Sequence, residues 1–356
     1  MISVHYGEIA LKNRNRHLFI KDLLYSLLYV TGGHPKDIGG RIILDEGDIS
    51  FLSLVPGVSW YGDTFLFKEI NEVEAFLLSK GKKFDIEVRR IDKSLPFTSL
   101  DVKKKLLYLT DKNGERARIE IFKDKILVTL NIKKGIGGLP INKNNKILHL
   151  FSGGVDSTLA AFQLMKRGAN VDLLHVYAVS EDFALKGKIG KIAAFFSNIK
   201  PIRLYLAPFD YFYSKFLALD TKYEIVLFKH FLLLLADRFD EYLAISNGDS
   251  LSQVSSQTLP NIRSVNYGIT KPILRPLISF NKEEIIDLSK KLGFYDLTVE
   301  NYKDCCSIIS RNNTTKSNLN KLIELEEKIN MKEIVDNTFS RTRMFIFEKG
   351  KLKQNY

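Results

Sequence analysis

Cysteine is nearly absent from this sequence. Among 356 residues there are only two cysteines, Cys305 and Cys306, and they are neighbours in the chain. Adjacent cysteines rarely close a structural disulfide, so a disulfide framework is excluded and a reducing compartment is expected. Two thiols also cannot by themselves supply the four ligands of a structural zinc site. If these cysteines have a function, they act as reactive thiols.

Long hydrophobic runs are missing as well. The longest, residues 225–236, is interrupted by Lys229 and His230, and it is shorter than the roughly 20 apolar residues that a membrane span requires. It predicts a buried helix instead. The N-terminal residues also lack the apolar core and cleavage site of a secretory signal. We therefore expect a cytoplasmic protein without a membrane partner.

Positive charge is abundant and unevenly distributed. The formal net charge is +12, and residues 80–143 carry 17 Lys and Arg against 8 Asp and Glu, an excess of +9. This concentration favours a polyanionic partner such as a nucleic acid. The alternative is a lysine-rich composition whose side chains are simply solvated. The hydrophobic fraction of 45% is ordinary for a folded globular protein.

The hydrophobic patterns divide the chain into three parts. Residues 1–67 and 68–143 each predict a small α+β unit, and glycines in 135–140 predict a flexible exit. After residue 146, apolar strands alternate with helices, which indicates an α/β domain with a doubly wound parallel sheet. The first two parts predict strands at 2–9, 38–44, 59–67, 83–90, 116–122 and 125–132 and helices at 15–30, 72–80 and 99–109. The third part predicts strands at 147–151, 171–178, 202–207 and 242–246 and helices at 157–167 and 222–238.

The sequence Ser-Gly-Gly-Val-Asp-Ser at 152–157 lies between the first strand of this sheet and the helix that follows. Open α/β sheets bind ligands outside the carboxyl ends of their strands, against a helix N-terminus. Glycines let the backbone approach an anion there, and the N–H groups of the first helical turn point at it. Asp156 would repel phosphate unless a cation lay between them, which favours a bridging magnesium ion. The alternative is a tight turn in which Asp156 or Ser157 caps the helix.

Several motifs, taken in order, resemble a known family. They are HYGEIALKNRNRHLF, the linker GIGGLP, LFSGGVDSTLAAFQLMKRG, SNGDSLSQVSSQTL, ILRPLISFNKEEII and DCCSIIS. Together they look like the ThiI family of tRNA 4-thiouridine synthetases, in which SGGxDS is the PP-loop of ATP pyrophosphatases. The resemblance runs from residue 5 to about residue 310. It implies an N-terminal ferredoxin-like domain at 1–67, an RNA-binding THUMP domain at 68–143 and a PP-loop domain at 144–356.

The resemblance also implies roles for individual residues. Asp156 and Lys282 match residues that the family needs for adenylation, and Cys306 matches its catalytic cysteine. A lysine can stabilise charge on a transferring phosphoryl group, and a cysteine can attack or resolve a persulfide. The alternatives are core packing for His175 and Val176, an exposed helix-start lysine for Lys282 and inert buried thiols for the cysteines. The residues implied to bind ATP are Leu150, Phe151, Ser152, Gly153, Gly154, Ser157, His175, Val176, Lys229, Gly248 and Gln257.

The reaction that the resemblance implies has two steps and uses ATP and Mg²⁺. The C4 oxygen of the uridine at tRNA position 8 is adenylated with release of pyrophosphate, and sulfur then displaces AMP to give 4-thiouridine. The basic stretch 80–143 falls on the implied THUMP domain. Phosphate contacts there would supply affinity for tRNA without reading its sequence. The residues expected to make them are Arg89, Arg90, Lys103, Lys104 and Lys105.

The source of the sulfur is a separate question. Several family members carry a C-terminal rhodanese domain whose cysteine bears a persulfide, and the sequence up to residue 356 contains none. We therefore expect a cysteine desulfurase or another separate donor, such as free sulfide, and a homodimer is a further expectation. A role in sulfur transfer for thiamine thiazole synthesis is also known for the family.

Two other functions remain open at this point. One is another PP-loop tRNA-modifying enzyme, of the 2-thiolation or lysidine type, and the motifs that precede the loop disfavour it. The other is a non-catalytic tRNA-binding protein with a degenerate site. The intact loop at 152–157, Lys282 and Cys306 argue against that second alternative.

Overall fold

The computed structural model describes residues 1–217, 219, 221–309 and 314–355, and the side chains of Cys306, Ser307, Gln354 and Asn355 lie outside this description. The chain divides into two units, Met1–Pro140 and Ile141–Tyr356. Each unit is built on one seven-stranded sheet. Within the described ranges, no helix is both long and apolar enough to cross a membrane.

The first unit has a sheet with strand order β2-β3-β1-β4-β7-β6-β5. All neighbouring strands are antiparallel except β5 and β6, which are parallel. The strands are β1 (Ile2–Tyr6), β2 (Lys36–Asp37), β3 (Ile42–Leu44), β4 (Val58–Phe67), β5 (Phe84–Arg90), β6 (Glu115–Ile121) and β7 (Ile126–Lys134), and the helices are α1 (Arg16–Thr31), α2 (Ile70–Ser79) and α3 (Ser99–Lys105).

This first unit has two hydrophobic cores. One gathers buried residues from β1, α1, β3 and β4, including Val4, Leu23 and Ile42. The other gathers residues from α2, β5, α3, β6 and β7, including Phe84 and Ile119. The single sheet therefore joins the two predicted α+β parts, and their division into separate domains at residues 67 and 68 stays a prediction.

One predicted strand of the first unit is interrupted. Of the expected strand at 38–44, only Ile42–Leu44 (β3) is a strand; β2 precedes it at Lys36–Asp37, and a turn at Gly39 and Gly40 joins the two. Both glycines have φ near +90°, at +86° and +94°. These values lie in the left-handed region that glycine adopts without steric cost, so the chain reverses there and cannot continue as one strand.

The second unit has strand order β12-β11-β8-β9-β10-β13-β14. Its strands are β8 (Lys146–Leu150), β9 (Asn170–Tyr177), β10 (Ile202–Pro208), β11 (Ala244–Ser246), β12 (Ile273–Leu274), β13 (Arg343–Glu348) and β14 (Lys351–Asn355). The longer helices are α4 (Val155–Lys166), α6 (Lys188–Phe196), α8 (Glu224–Asp237), α10 (Lys282–Lys291), α13 (Leu319–Ile329) and α14 (Met331–Ser340). The shorter ones are α5 (Glu181–Lys186), α7 (Asp210–Phe216), α9 (Leu259–Val265), α11 (Tyr295–Thr298) and α12 (Cys305–Ile309).

The connections of this second sheet confirm the predicted doubly wound arrangement. The five strands from β12 to β10 are parallel. The chain runs outward from β8 through β9 to β10 and then returns to place β11 on the other side of β8. The strand order therefore reverses between β8 and β11. In open α/β sheets, ligands bind in the crevice at this point, beyond the carboxyl ends of the strands.

The last two strands were not predicted. The chain ends in a hairpin, β13 and β14, whose first strand pairs antiparallel with β10. Phe345 and Phe347 are buried while Ile346 between them is half-buried, which is the alternation of a strand with one face on a core. The apolar segment is short and is surrounded by basic residues, so the alternation was not recognised as a strand in the sequence.

Candidate nucleotide site

The phosphate loop has the conformation that its sequence predicts. It begins where β8 ends at Leu150 and leads into α4 at Val155. Gly153 has φ of +75°, a value that a side chain would strain. Ser152 Oγ and Ser157 Oγ are 3.0 Å apart, and the Ser157 hydroxyl donates to the Gly154 carbonyl at 3.1 Å. The hydroxyls and the first turn of α4 therefore lie together at one end of the loop.

A second loop, which follows β11, approaches the N-terminus of α4 closely. A Cβ atom at Gly248 would lie 2.7 Å from the backbone nitrogen of Ser157 and 2.8 Å from the carbonyl carbon of Asp156. Real Cβ atoms do not approach backbone atoms this closely, so the contact requires glycine. The two loops on either side of the strand-order reversal are thereby held against each other.

A cavity of about 360 Å³ opens between these loops. This volume is in the range of small-molecule and nucleotide sites. Its walls are apolar on the side of β9 and α8 and polar toward the two loops. The residues that line it are Leu150, Phe151, Ser152, Asp156, Ser157, Leu174, His175, Val176, Ile225, Phe228, Lys229, Leu232, Leu233, Asn247, Gly248, Asp249, Val254, Ser255, Ser256, Gln257, Val265, Asp304 and Cys305.

Most residues implied to bind ATP meet at this cavity. Leu150, Phe151, Ser152, Ser157, His175, Val176, Lys229, Gly248 and Gln257 line it, and Gly153 and Gly154 belong to the loop at its edge. They come from four separate stretches of the chain. Only the parallel sheet brings these stretches together, which is why the loop motif alone could not define the site.

Asp249 is a buried carboxylate in the wall of the cavity. Lys229 Nζ lies 2.7 Å from its Oδ1, and Arg275 Nε lies 3.3 Å from its Oδ2. The side-chain amide of Asn247 also donates to it, at 2.8 Å. Burial raises the pKa of Asp249, but Lys229 and Arg275 outweigh that effect, so its pKa is lowered and the carboxylate stays charged. Lys229 is therefore held in place by a carboxylate.

Asp156 is more exposed and lies at the rim of the same cavity. Its oxygens accept hydrogen bonds from Lys282 Nζ at 2.8 and 3.0 Å and from Gln253 Nε2 at 3.1 Å. Lys282 is the first residue of α10, where Asn281 forms a capping box with Glu284. The helix start is thereby fixed with its lysine directed at Asp156. The two residues that sequence comparison assigned to adenylation are in contact, 126 positions apart in the chain.

His175 is buried and neutral. Its Nδ1 lies 2.7 Å from the Phe151 carbonyl, which can only accept, so Nδ1 carries the proton. Its Nε2 lies 2.7 Å from the hydroxyl of Tyr302 and must accept from it. Burial lowers the pKa of His175 to about 4, despite the hydrogen bond to Phe151 and the charge of Asp304, which raise it. Both ring nitrogens are thus hydrogen-bonded within the protein, and the ring borders the cavity. Its expected position beside adenine stays a prediction.

The two cysteines lie at the start of α12. Cys305 is 3% exposed and lines the cavity. Its thiol donates to the Val176 carbonyl, with sulfur and oxygen 3.2 Å apart. The backbone of Cys306 belongs to α12, but its side chain is outside the described part of the chain, so its expected role stays a prediction.

Some of the cations expected to contact RNA are exposed, whereas others are bound to neighbouring groups of the protein. Lys103 and Lys104 are exposed on α3, and Arg89 is exposed on β5 beside Glu87, with Nε and Oε1 2.9 Å apart. The guanidinium of Arg90 donates to the carbonyls of Leu95 and Phe97, and so supports the loop before α3. The ammonium of Lys105 contacts Asn71 and lies 3.2 Å from a carboxylate oxygen of Glu74.

The sequence analysis did not predict several polar residues that support the predicted site. They are Asp249, Gln253, Arg275 and Tyr302, which hold Lys229, Asp156 and His175 in position. Asp249 and Gln253 lie inside the motif SNGDSLSQVSSQTL, and their polar character could have marked them. No sequence motif around Tyr302 predicts its hydrogen bond, because its partner, His175, lies 127 residues away in the chain.

The second unit is a doubly wound α/β domain whose glycine-rich loop and adjoining cavity define a nucleotide-binding site of the PP-loop class. A family model described as "Thiamine biosynthesis protein (ThiI)" matches residues 142–331, which is more than half of the chain. The chain belongs to the ThiI family, and the resemblance inferred from its motifs is confirmed.

Relatives match over nearly the whole chain. A "Probable tRNA sulfurtransferase" of Sulfurisphaera tokodaii is 34% identical and covers 91% of this chain and 94% of its own. A protein of the same name from Mycoplasmopsis agalactiae is 31% identical and covers 92% and 93%. Among solved structures, "a 4-thiouridine synthetase - RNA complex with bound ATP" matches with a TM-score of 0.86 at 24% identity, over 98% of this chain and 99% of that one. This match confirms the fold.

Proposed function

We propose that the protein is a tRNA sulfurtransferase that adenylates the uridine at tRNA position 8 and replaces its C4 oxygen with sulfur. The observation that carries the proposal is the contact between Asp156 and Lys282 at the rim of the nucleotide cavity, beside the phosphate loop. The relatives named "Probable tRNA sulfurtransferase" support it. So does the fold shared with a 4-thiouridine synthetase whose structure contains ATP and RNA.

ATP fits the cavity in one direction. The apolar wall of Leu174, Val176 and Phe228 suits the adenine ring, whereas the loop at 152–157 offers hydroxyls and backbone N–H groups to phosphates. The N-terminus of α4 adds the positive end of a helix dipole. The triphosphate would therefore extend toward the loop at 152–157, where Asp156 also lines the cavity.

A magnesium ion fits the residues at the rim. Mg²⁺ is commonly held by one or two carboxylates together with substrate phosphates and waters. Asp156 supplies such a carboxylate next to the phosphate loop once Lys282, its present partner, turns to the phosphates, whereas Asp249 is buried between Lys229 and Arg275. Asp156 would therefore hold the ion. When bound, magnesium offsets negative charge on the phosphates.

Lys282 is placed to act in the adenylation step. The C4 oxygen of uridine attacks the α-phosphorus of ATP, and the bond to the β-phosphate oxygen breaks to release pyrophosphate. Negative charge increases on the transferring group and on the leaving group. The Lys282 ammonium, 2.8 Å from Asp156 in this structure, can turn to those oxygens and stabilise them electrostatically.

The second step replaces AMP by sulfur. With sulfide as donor, the sulfur attacks C4 of the adenylated uridine, and AMP leaves with the former C4 oxygen. With a persulfide on Cys306, the terminal sulfur makes the same attack and AMP leaves. A thiol from outside the chain then attacks Cys306 Sγ and releases 4-thiouridine, and a second such thiol reduces the mixed disulfide that this leaves on Cys306. A cysteine desulfurase is the class of enzyme that would load such a persulfide. The uridine must leave its stacked position first, at a cost of a few kcal/mol.

The first experiment is a direct assay of the product. The purified protein is incubated with unmodified tRNA, ATP, magnesium and sulfide, and digested RNA is examined for 4-thiouridine by mass spectrometry. We expect thiolation at position 8, together with AMP and pyrophosphate. Splitting of ATP without thiolated RNA would mean that the donor or the base is wrong, and absence of both would refute the proposal.

A comparison of sulfur donors follows from the same assay. The variant Cys306→Ser should retain thiolation with free sulfide but lose it with a protein-bound persulfide as donor. Loss of adenylation as well would contradict the separation of the two steps. A role in thiamine thiazole synthesis is a second candidate, favoured by the description of the matching family model. Its test is whether the gene restores growth without thiamine in cells that lack their own family member.

A further inference from the structure

The segment before the cysteines forms part of the wall of the nucleotide cavity. Asp304 and Cys305 line the cavity, and Tyr302 lies just before them. The segment follows α11 and leads directly into α12, which contains Cys305 and Cys306. What holds this segment against the sheet therefore also sets the position of α12 relative to the nucleotide.

The first attachment is the hydrogen bond between Tyr302 and His175. The Tyr302 hydroxyl donates to Nε2 of His175 at 2.7 Å, and Nδ1 of His175 donates to the Phe151 carbonyl at 2.7 Å. Phe151 directly precedes Ser152, the first residue of the phosphate loop. The hydrogen bonds therefore connect the cysteine segment to that loop. The Tyr302 ring also stacks on Phe183, with centroids 5.5 Å apart and planes inclined by 13°.

Protonation states keep this attachment intact. Burial raises the pKa of Tyr302, which keeps its hydroxyl protonated as a donor. Burial lowers the pKa of His175 to about 4, so Nε2 remains an acceptor above that pH. The hydrogen bond between Tyr302 and His175 therefore persists at neutral pH.

The second attachment uses the next residue of the same strand. The Cys305 thiol donates to the Val176 carbonyl at 3.2 Å, and Cys305 packs in the main hydrophobic core with Phe228 and Ile309. His175 and Val176 are consecutive in β9. His175 and Val176, which are neighbours on β9, thus bind Tyr302 and Cys305, which lie three residues apart in the segment.

We propose that Tyr302 is a positioning residue, which together with Cys305 anchors α12 at the nucleotide cavity so that Cys306 can deliver sulfur. Cys305 is then a structural anchor and does not carry the persulfide. The part of this inference that concerns sulfur delivery rests on the proposed function. The part that concerns anchoring rests on the geometry alone.

The anchoring is tested without any enzymatic assay. In Cys306→Ser, Cys305 is the sole thiol, because the chain has two cysteines. It is only 3% exposed, so alkylation by iodoacetamide requires its thiol to become more accessible. Adding Tyr302→Phe keeps the ring and removes the hydroxyl. We expect alkylation to become about fivefold faster, which corresponds to the loss of one hydrogen bond. The result is read by mass spectrometry.

A matched control is Tyr205→Phe in the same Cys306→Ser chain. Tyr205 is also buried in this unit, on β10, and its hydroxyl donates to Glu241 at 2.9 Å and accepts from Tyr242 at 3.1 Å, outside the cysteine segment. Its loss should leave the alkylation rate of Cys305 within about twofold of the starting chain. Equal rates for the Tyr302 variant and this control would overturn the anchoring role.

The role in sulfur delivery is tested with Cys306 intact. Tyr302→Phe should lower the rate of thiolation from a persulfide donor at least about fivefold more than it lowers tRNA-dependent ATP–pyrophosphate exchange. Cys305→Ser retains a donor for Val176 and should lower thiolation no more than about threefold. A loss in Cys305→Ser as large as in Cys306→Ser would make Cys305 a carrier and refute the proposal.

A failure of the positioning role and a failure of the proposed function give different results. If Tyr302→Phe slows exchange and thiolation equally, the residue supports the nucleotide site as a whole and does not position the cysteine helix. If the unaltered protein produces no thiouridine but Tyr302→Phe still exposes Cys305, the proposed function fails while the anchoring stands.

Discussion

At the scale of single residues, two carboxylates in one crevice have opposite roles. Asp249 is buried and is surrounded by Lys229, Arg275 and Asn247. Asp156 is about a quarter exposed and contacts Lys282 and Gln253 at the rim. The burial of the first and the partial exposure of the second lead us to expect that Asp249 maintains the site and that Asp156 acts in the proposed reaction.

Replacement of Asp249 should therefore reduce stability. Asp249→Asn keeps the shape of the side chain but leaves Lys229 and Arg275 facing each other without a carboxylate. Removal of one partner from a buried ion pair costs about 3 kcal/mol of unfolding free energy. Urea unfolding at neutral pH measures it. A loss below about 0.5 kcal/mol would show that the two cations find other partners or water.

The same ion pairs predict a pH dependence. The pKa of Asp249 is lowered in the folded state from its ordinary value of 3.8. Its contribution to stability is therefore fully present above pH 3.8 and is lost as the pH falls through the folded-state pKa. Urea titrations at pH 3 and at pH 6 should show a smaller difference between Asp249→Asn and the unaltered protein at the lower pH.

Replacement of Asp156 should reduce activity instead. Asp156→Asn removes the charge that we expect to hold magnesium, and it leaves an exposed amide that Lys282 and water can solvate. ATP–pyrophosphate exchange should fall about 100-fold or more, whereas unfolding free energy should change by less than about 1 kcal/mol because the pair is exposed. Retention of full exchange activity would remove Asp156 from the reaction.

At the scale of elements, the site depends on two loops that meet beside β8 and β11. The sequence was sufficient to predict the phosphate loop, because a strand, two glycines and a helix start are local signals. It was not sufficient to predict that Asp249 neutralises Lys229 or that Tyr302 bonds to His175, because those contacts depend on tertiary packing. The C-terminal hairpin was missed for a related reason, since its strand pairs with β10 far upstream.

The closeness of the two loops predicts the effect of Gly248→Ala. The added Cβ would lie 2.7 Å from the backbone of Ser157, so the loop after β11 must move away from α4. We expect the KM for ATP to rise about tenfold or more, because a displacement near the phosphate loop disrupts positioning. Gly7→Ala is the control, since its Cβ would meet nothing closer than 3.7 Å. Similar ATP kinetics for both variants would contradict the loop contact.

At the scale of the whole molecule, most of the excess positive charge and the nucleotide cavity belong to different units. The stretch 80–143 contributes an excess of +9 to the net charge of +12, and most of it belongs to the unit Met1–Pro140. The nucleotide cavity lies within the unit Ile141–Tyr356. Affinity for tRNA and activation of ATP should therefore be separable by mutation.

Charge reversal on α3 tests that separation. Lys103 and Lys104 are exposed, and each phosphate contact that is lost should reduce the slope of log affinity against log salt concentration by about 0.7 to 0.9. The double variant Lys103→Glu, Lys104→Glu should weaken tRNA binding about tenfold or more and lower that slope by about 1.5. Filter binding over a series of salt concentrations measures both.

The control for this variant makes the same change of charge elsewhere. Lys351 and Lys353 are exposed on β14, in the other unit, and Lys351→Glu, Lys353→Glu alters the net charge equally. If net charge alone attracts tRNA, both double variants should weaken binding to the same extent. If α3 contacts the phosphates, only the first should lower the salt slope, and ATP binding should be unchanged in both because neither pair lines the nucleotide cavity.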